Sequence, residues 1–180
     1  VQRYQNSGKR AVDMQYIFRQ ARRKEIAEIQ RLARRIWDEA YGELLSKEQI
    51  EYMLRMMYSE KSIGEELQRG TVWELLIADN TPCGYLSYGL SENNSVKLFK
   101  IYIEKPFRGT GIARGCLSRV KEYAARNGRG HVFLTVNKNN KRAIRAYEKN
   151  GFAITASVVT DIGQGFVMDD YIMKCPARPD

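Results

Sequence analysis

Ile101 to Gly115 reads IYIEKPFRGTGIARG, an apolar strand pattern that passes through a glycine turn into a helix pattern. No other stretch constrains the chain as much. Glycines let the backbone turn tightly and let a ligand come close to it. A helix that starts there offers its first free N–H groups and the positive end of its dipole, a ready cradle for an anion. Arg108 can add a side-chain charge. Three readings share this pattern: a plain turn before a surface helix, a dinucleotide-binding turn, and a cradle for an acyl-carrying cofactor. The dinucleotide reading wants a carboxylate at the end of the next strand to hold a ribose. That strand ends Thr135-Val136-Asn137-Lys138, with none.

The rest of the chain supplies the frame. Met14–Arg19 suits a short strand, with Met14 a candidate start after a polar, aperiodic stretch. Residues 1–13 read as a disordered arm or an expression remnant, and residues 14–180 as a single domain. Ile26, Ile29, Leu32, Ala33, Ile36, Trp37, Ala40 and Tyr41 recur at helical spacing, so 21–41 is expected to be an amphipathic helix closed by Gly42. Ser46 with Gln49 is a capping box opening a second helix to about Tyr58, and Ser62 with Glu65 repeats it for a short third. Val72–Asp79 and Cys83–Leu90 are strands around Asn80-Thr81-Pro82, and Glu92-Asn93-Asn94-Ser95 turns into a strand Val96–Ile103. A helix 111–127, a strand His131–Val136, a helix Lys141–Lys149 and strands Phe152–Asp161 and Phe166–Lys174 follow. The order predicts an α/β (α+β) domain, a mixed central sheet flanked by helices.

Arg108-Gly109-Thr110-Gly111-Ile112-Ala113 resembles the (Q/R)-x-x-G-x-(G/A) motif of the GCN5-related N-acetyltransferases (GNAT). LTVNKNNKRAIRAYEKNGF, with Asn137, Asn140, Ala143 and Tyr147 before Gly151-Phe152, is similar to that family's next block. The likeness covers about Arg19 to Cys175. Ile36-Trp37 with Tyr41, SKEQIEYMLRMMYS, and the stretches Asp161–Phe166 and Met168–Met173 look most like the PaiA-type polyamine (spermidine/spermine) acetyltransferase branch. The resemblance implies the GNAT fold, with the sheet splayed between its fourth and fifth strands. It implies acetyl-CoA as donor, held by the Ile101, Tyr102 and Ile103 backbone, by Arg108, Gly109, Thr110, Gly111, Ile112 and Ala113, and by Asn137, Asn140, Tyr147 and Lys149.

The implied reaction is attack of a neutral amine on a thioester. It needs a deprotonated amine, a positioned carbonyl, an oxyanion donor and an acid for the leaving thiolate. Tyr147 stands at the family position of the acid, and a backbone N–H near Ile103 at that of the oxyanion donor. The base is not readable: Phe99 stands where relatives often carry Glu, Glu104 and the late-strand Asp169 and Asp170 are candidates, and water-mediated deprotonation through backbone carbonyls stays open. Trp37, Tyr41, Asp169 and Asp170 are the candidate acceptor-binding residues.

Charge first suggests another partner. Thirty Lys and Arg against 21 Asp and Glu give a net +9, usually a sign of nucleic acid. Yet residues 97–149 hold 14 basic and 3 acidic side chains, net +11, around the glycine turn, and residues 36–96 hold 4 and 11, net −7. The first block suits an anionic cofactor. The second, with Glu39, Glu43, Glu48 and Glu51, suits a small cationic amine. Residues 1–35 add net +7, for which no function is assigned. Aromatic and basic residues are not interleaved as a stacking surface, so no specific nucleic acid is expected. A protein or peptide N-acetyltransferase, and a CoA-binding regulator without catalysis, remain open.

No apolar run approaches the ~18 residues of a membrane span, so no membrane partner is expected. Three scattered cysteines, Cys83, Cys116 and Cys175, fit a reducing cytoplasm. A lone His131 without C-x-x-C gives no metal-site pattern. Self-association as a homodimer is left open.

Overall fold

The structure, a computed structural model, describes residues 15–177 and the backbone of a two-residue strand, β1 (Arg3–Tyr4). The rest of the N-terminal arm, with Met14, lies outside the described residues.

Three helices follow β2 (Tyr16–Gln20). A 3₁₀ turn, Arg23–Glu25, leads into α1 (Ile26–Tyr41), which buries Ile26, Ile29, Leu32, Ala33, Ile36 and Trp37, the stripe set by the 3.6-residue period. α2 (Lys47–Tyr58) opens on Ser46, whose hydroxyl accepts from the Gln49 N–H at 3.1 Å, as the capping box predicts. α3 (Glu60–Gln68) corrects the expectation at Ser62. Its cap is Ser59, which accepts from the Ser62 N–H at 3.1 Å. The Ser62 hydroxyl donates instead to the Met56 carbonyl at 2.7 Å, so it sits one turn inside the helix.

The strands are β3 (Val72–Ala78), β4 (Thr81–Ser91), β5 (Ser95–Ile103), β6 (His131–Asn137), β7 (Ala153–Gly163) and β8 (Phe166–Pro176). The first hairpin turns on Asp79 and Asn80, at φ 48° and 61°. That is the left-handed pair of a two-residue hairpin turn. It leaves Thr81 and Pro82 inside β4 rather than in the expected loop. The remaining helices are α4 (Ile112–Arg126) and α5 (Lys141–Glu148).

The sheet order is β1-β2-β3-β4-β5-β6-β8-β7. β5 and β6, the fourth and fifth of the longer strands, run parallel in a mixed sheet. Their register covers only Ser95–Lys97 against His131–Phe133, although β5 continues to Ile103 and β6 to Asn137. This short register is the splay the family resemblance implies.

The chain divides into two compact units: residues 1–88 with 100–116, and residues 89–99 with 117–180. The first unit buries Ile29, Leu32, Ile63, Trp73, Leu75 and Tyr85. The second buries Val120, Val132, Leu134, Ile144, Phe152 and Met173.

Candidate active site

In the first unit, the end of β5 is fixed from several sides. The Glu104 N–H donates to the Cys83 carbonyl at 2.9 Å. The Glu104 carboxylate is ion-paired with Arg35. Arg108 folds back onto its own strand. Its Nε donates to the Ile103 carbonyl at 2.7 Å and its Nη1 to Glu39 Oε1 at 2.6 Å. The guanidinium therefore ties the turn to β5 and α1. Thr110 Oγ1 donates to the Phe107 carbonyl at 2.7 Å.

Gly109 and Gly111 take φ of 79° and 90°, in the left-handed region that glycine enters without steric cost. A Cβ built on Gly109 would meet nothing within 4 Å, so its approach side is open. The bond from the Gly115 N–H to the Gly111 carbonyl, 3.1 Å, starts the helical ladder. The N–H groups of Ile112, Ala113 and Arg114 precede it, the leading donors of a helix N-terminus.

The same unit brings Trp37, Tyr41 and Tyr102 into one aromatic cluster. The Trp37 ring lies 4.9 Å from Tyr41 and 5.7 Å from Tyr102, and the Tyr41 and Tyr102 hydroxyls are 3.0 Å apart. Trp37 is only 2% exposed, and its Nε1 donates to the Tyr58 hydroxyl at 3.2 Å, so it stands in the core beside any cleft.

Sequence reasoning missed the inner half of this cluster. Lys100 is 9% exposed. Its ammonium lies 3.3 Å from Glu66 Oε1 and over the rings of Trp73 and Tyr58 at 4.8 and 5.6 Å. Trp73 Nε1 donates to Glu66 Oε2 at 2.9 Å, and the Tyr85 hydroxyl to that of Tyr58 at 2.9 Å. Burial pushes both of those phenols well above their ordinary pKa, so they stay protonated at neutral pH. The available signal was a lysine at an inward position of a strand. The expected acidic face is partly neutralised: Glu39 is paired with Arg108 and Glu51 with Arg34 at 2.6 Å each, while Glu43 and Glu48 are exposed.

In the second unit, Asn137 Oδ1 accepts from the Asn139 N–H at 2.9 Å, and the Asn137 carbonyl accepts from the Asn140 N–H at 2.9 Å. Asn140 caps α5, its Oδ1 accepting from the Ala143 N–H at 3.1 Å. Tyr147, the second-last residue of α5, is half-buried with its ring 5.8 Å from Phe152. The Phe152 N–H returns to the Tyr147 carbonyl at 3.1 Å, which fixes the backbone of that turn. Lys149 is exposed.

Asp169 and Asp170 face different surroundings. Asp169 is paired with Lys138 at 2.5 Å. Asp170 is 5% exposed and stands opposite Asn137 in the β6–β8 register. Burial, then the charge of Asp169, pushes its carboxyl above the ordinary value. The folded state thus disfavours the ionised form. That stability is intact below the ordinary carboxylate range and is lost as pH rises through the raised value. Asp170→Asn is therefore expected to raise Tm at neutral pH and to give no gain in acid. A neutral-pH Tm at or below the parent's would refute it.

The Cys83 thiol is pushed up to about 12 by burial and by the Glu104 charge, and that of Cys175 to about 11 by burial. Both are buried, as is Cys116, and thiols raised this far are unsuited to act as nucleophiles at neutral pH. Among the described residues no three His, Cys, Asp or Glu side chains are grouped to hold a metal ion, and no helix is long and apolar enough to cross a membrane.

Comparison with known proteins decides what this geometry belongs to. The family model described as "Acetyltransferase (GNAT) family" matches residues 16–152, including both the glycine turn and α5. The chain belongs to the GNAT family. Within that family it is 34% identical over 95 residues to an uncharacterised N-acetyltransferase of Mycobacterium bovis, a match covering 53% of this chain and 60% of that protein. It is 27% identical over 143 residues to the spermidine N(1)-acetyltransferase of Thermoplasma acidophilum, covering 77% and 86%. The crystal structure of the PaiA N-acetyltransferase of Thermoplasma acidophilum, in complex with coenzyme A, shares the GNAT fold. Its TM-score is 0.77 at 22% identity, over 89% of this chain and 98% of that one.

Proposed function

We propose that this GNAT chain transfers the acetyl group of acetyl-CoA to the primary amine of a small cationic acceptor, of the polyamine class. The observation that carries the donor half is the open glycine turn, Gly109 to Gly111, leading into α4 inside the matched family segment. The leading N–H groups at Ile112 and Ala113 suit the pyrophosphate, and the Ile101–Ile103 backbone suits the pantetheine arm. Arg108 serves this reading by shaping the turn, because its guanidinium is engaged by Ile103 and Glu39. Asn137 and Asn140 fix the entry to α5, which carries Tyr147, and Lys149 at its end supplies charge for phosphate.

In the reaction the amine nitrogen bonds to the thioester carbonyl carbon, the carbon–sulfur bond breaks, and the leaving sulfur takes a proton. Tyr147 supplies that proton, since a phenol hydroxyl can donate to a thiolate. The amine must lose its own proton before attack. Glu104 can take it only when its pair with Arg35 opens. Three scattered, buried cysteines support a cytoplasmic setting.

The cationic acceptor is supported by the exposed carboxylates Glu43 and Glu48 on the acidic segment and by the likeness to a spermidine acetyltransferase. Thiol release from acetyl-CoA, measured across spermidine, spermine, shorter diamines, neutral amines and peptides, tests it. Polyamines are expected to give the highest kcat/KM. A peptide N-terminus turned over faster would replace this reading with a protein acetyltransferase, and equal rates on neutral amines would remove the charge argument.

A further inference from the structure

The second unit contains a cavity that the acetyl-transfer reading does not use. It has a volume of about 500 Å³ and is lined by Asn94, Ala125, Gly128, Arg129, Gly130, His131, Pro176 and Ala177. That size falls within the usual range for small-molecule sites. It lies where α4 ends.

The walls are tied together by backbone bonds. The Gly130 N–H donates to the Asn94 carbonyl at 3.0 Å, and the Ala177 N–H to the Gly130 carbonyl at 2.9 Å. The end of α4 is closed without help from the Arg129 side chain. Asn127 Nδ2 donates to the Tyr123 carbonyl at 2.8 Å, the Arg129 N–H to that of Ala124 at 2.8 Å, and the Gly128 N–H to that of Ala125 at 3.2 Å. Gly128 makes this closure at φ 67°.

One donor of the Arg129 guanidinium is left over. The Nε is buried and, among the described residues, has no hydrogen-bond partner. A buried donor left unmade costs free energy that a suitable acceptor restores. Among the described residues, no carboxylate lines the cavity. The other polar side chains there are the imidazole of His131 and the carboxamide of Asn94, which lies against Gly130. Ala125, Pro176 and Ala177 give a small apolar wall. A planar cationic fork beside two further hydrogen-bonding groups is complementary to an oxyanion.

We propose that this cavity binds a small molecule bearing a carboxylate or a phosphate, held by Arg129 with His131 and Asn94. The site is separate from the acetyl-CoA reading, and its test needs no catalysis.

His131 is the only histidine in the chain, so its imidazole signals in proton NMR report on the cavity alone. Inorganic phosphate and acetate are titrated separately into the full chain at constant pH and ionic strength. At least one is expected to shift the His131 signals to saturation at millimolar concentration. Arg129→Gln is expected to weaken that binding ~10-fold or more, the loss of a charge-assisted contact. Arg126→Gln serves as the control and is expected to leave it unchanged, because Arg126 lies outside the cavity, 3.8 Å from Glu122. Saturation by phosphate alone identifies a phosphate-bearing ligand, and by acetate alone a carboxylate. If Arg129→Gln does not fold, Arg129→Lys keeps the charge and loses the fork, and is expected to weaken acetate more than phosphate. No saturable shift with either anion, or an Arg129 variant that binds both as the parent does, would overturn the proposal.

Discussion

Tyr147→Phe is expected to lower kcat by ~100-fold or more, the range for loss of a general acid. The substitution removes one oxygen and keeps the ring against Phe152 at 5.8 Å. The turn that carries it is held by backbone bonds from Asn150 and Phe152 to the Tyr147 carbonyl, at 2.9 and 3.1 Å, which the variant retains. A fall in kcat is therefore a chemical effect. Acetyl-CoA binding, measured by calorimetry, is expected to stay within a few-fold of the parent. A kcat close to the parent's would assign the leaving proton elsewhere. Unchanged kcat with weakened acetyl-CoA binding would make Tyr147 a cofactor contact only.

Trp73→Ala should cost ~3–5 kcal/mol, the usual range for emptying a buried large aromatic site. Trp73 has no exposed surface. It stacks on Tyr85 at 6.1 Å with the rings 29° apart, lies under the Lys100 ammonium, and donates to Glu66. Its loss opens a cavity beneath a buried cation and removes one of the cation's aromatic faces. Against a total stability of ~5–15 kcal/mol for a typical domain, that is enough to populate unfolded chains near room temperature. Trp73→Phe keeps a ring in place and loses the indole N–H, so ~1–2 kcal/mol is expected. Urea midpoints of the two variants check the ranking. An alanine variant as stable as the phenylalanine one would show that the site collapses freely.

Much of this architecture is written locally. The α1 stripe, the Ser46 cap, the glycine turn and the α5 block are patterns within about a dozen residues, and the structure places a helix, strand or turn at each. The signals at Ser62 and at Asn80-Thr81-Pro82 are also local, but ambiguous. Ser59 and Ser62 both offer hydroxyls at cap spacing, and only the contact from Ser62 to Met56 shows which is inside the helix. Asn80-Thr81-Pro82 looks like a loop because Pro lacks an N–H, yet a two-residue turn at Asp79-Asn80 puts Pro82 at the start of a strand.

What the sequence did not show is where long side chains go. Arg108 and Glu39 are 69 residues apart, and Lys100 and Glu66 are 34 apart. The motif fixed Arg108 at the turn and was silent on its partner. The net −7 of residues 36–96 likewise could not show that Glu39 and Glu51 are matched by arginines. The Arg129 cavity draws on three separated stretches, at residue 94, residues 125–131 and residues 176–177, so no sequence window contains it.

The division into two units has a consequence for how this chain can be cut or shuffled. The chain passes between them at Tyr88-Gly89, Phe99-Lys100 and Cys116-Leu117. These points lie inside β4, β5 and α4, and none is a loop. Neither unit is a continuous segment, so neither can be inherited, exchanged or expressed as a module by joining at a linker. A split reporter or a chimera made at any of the three junctions would sever a strand or a helix. The natural places to open the chain are instead the Asp79-Asn80 turn and the Glu92–Asn94 turn, which leave every strand whole.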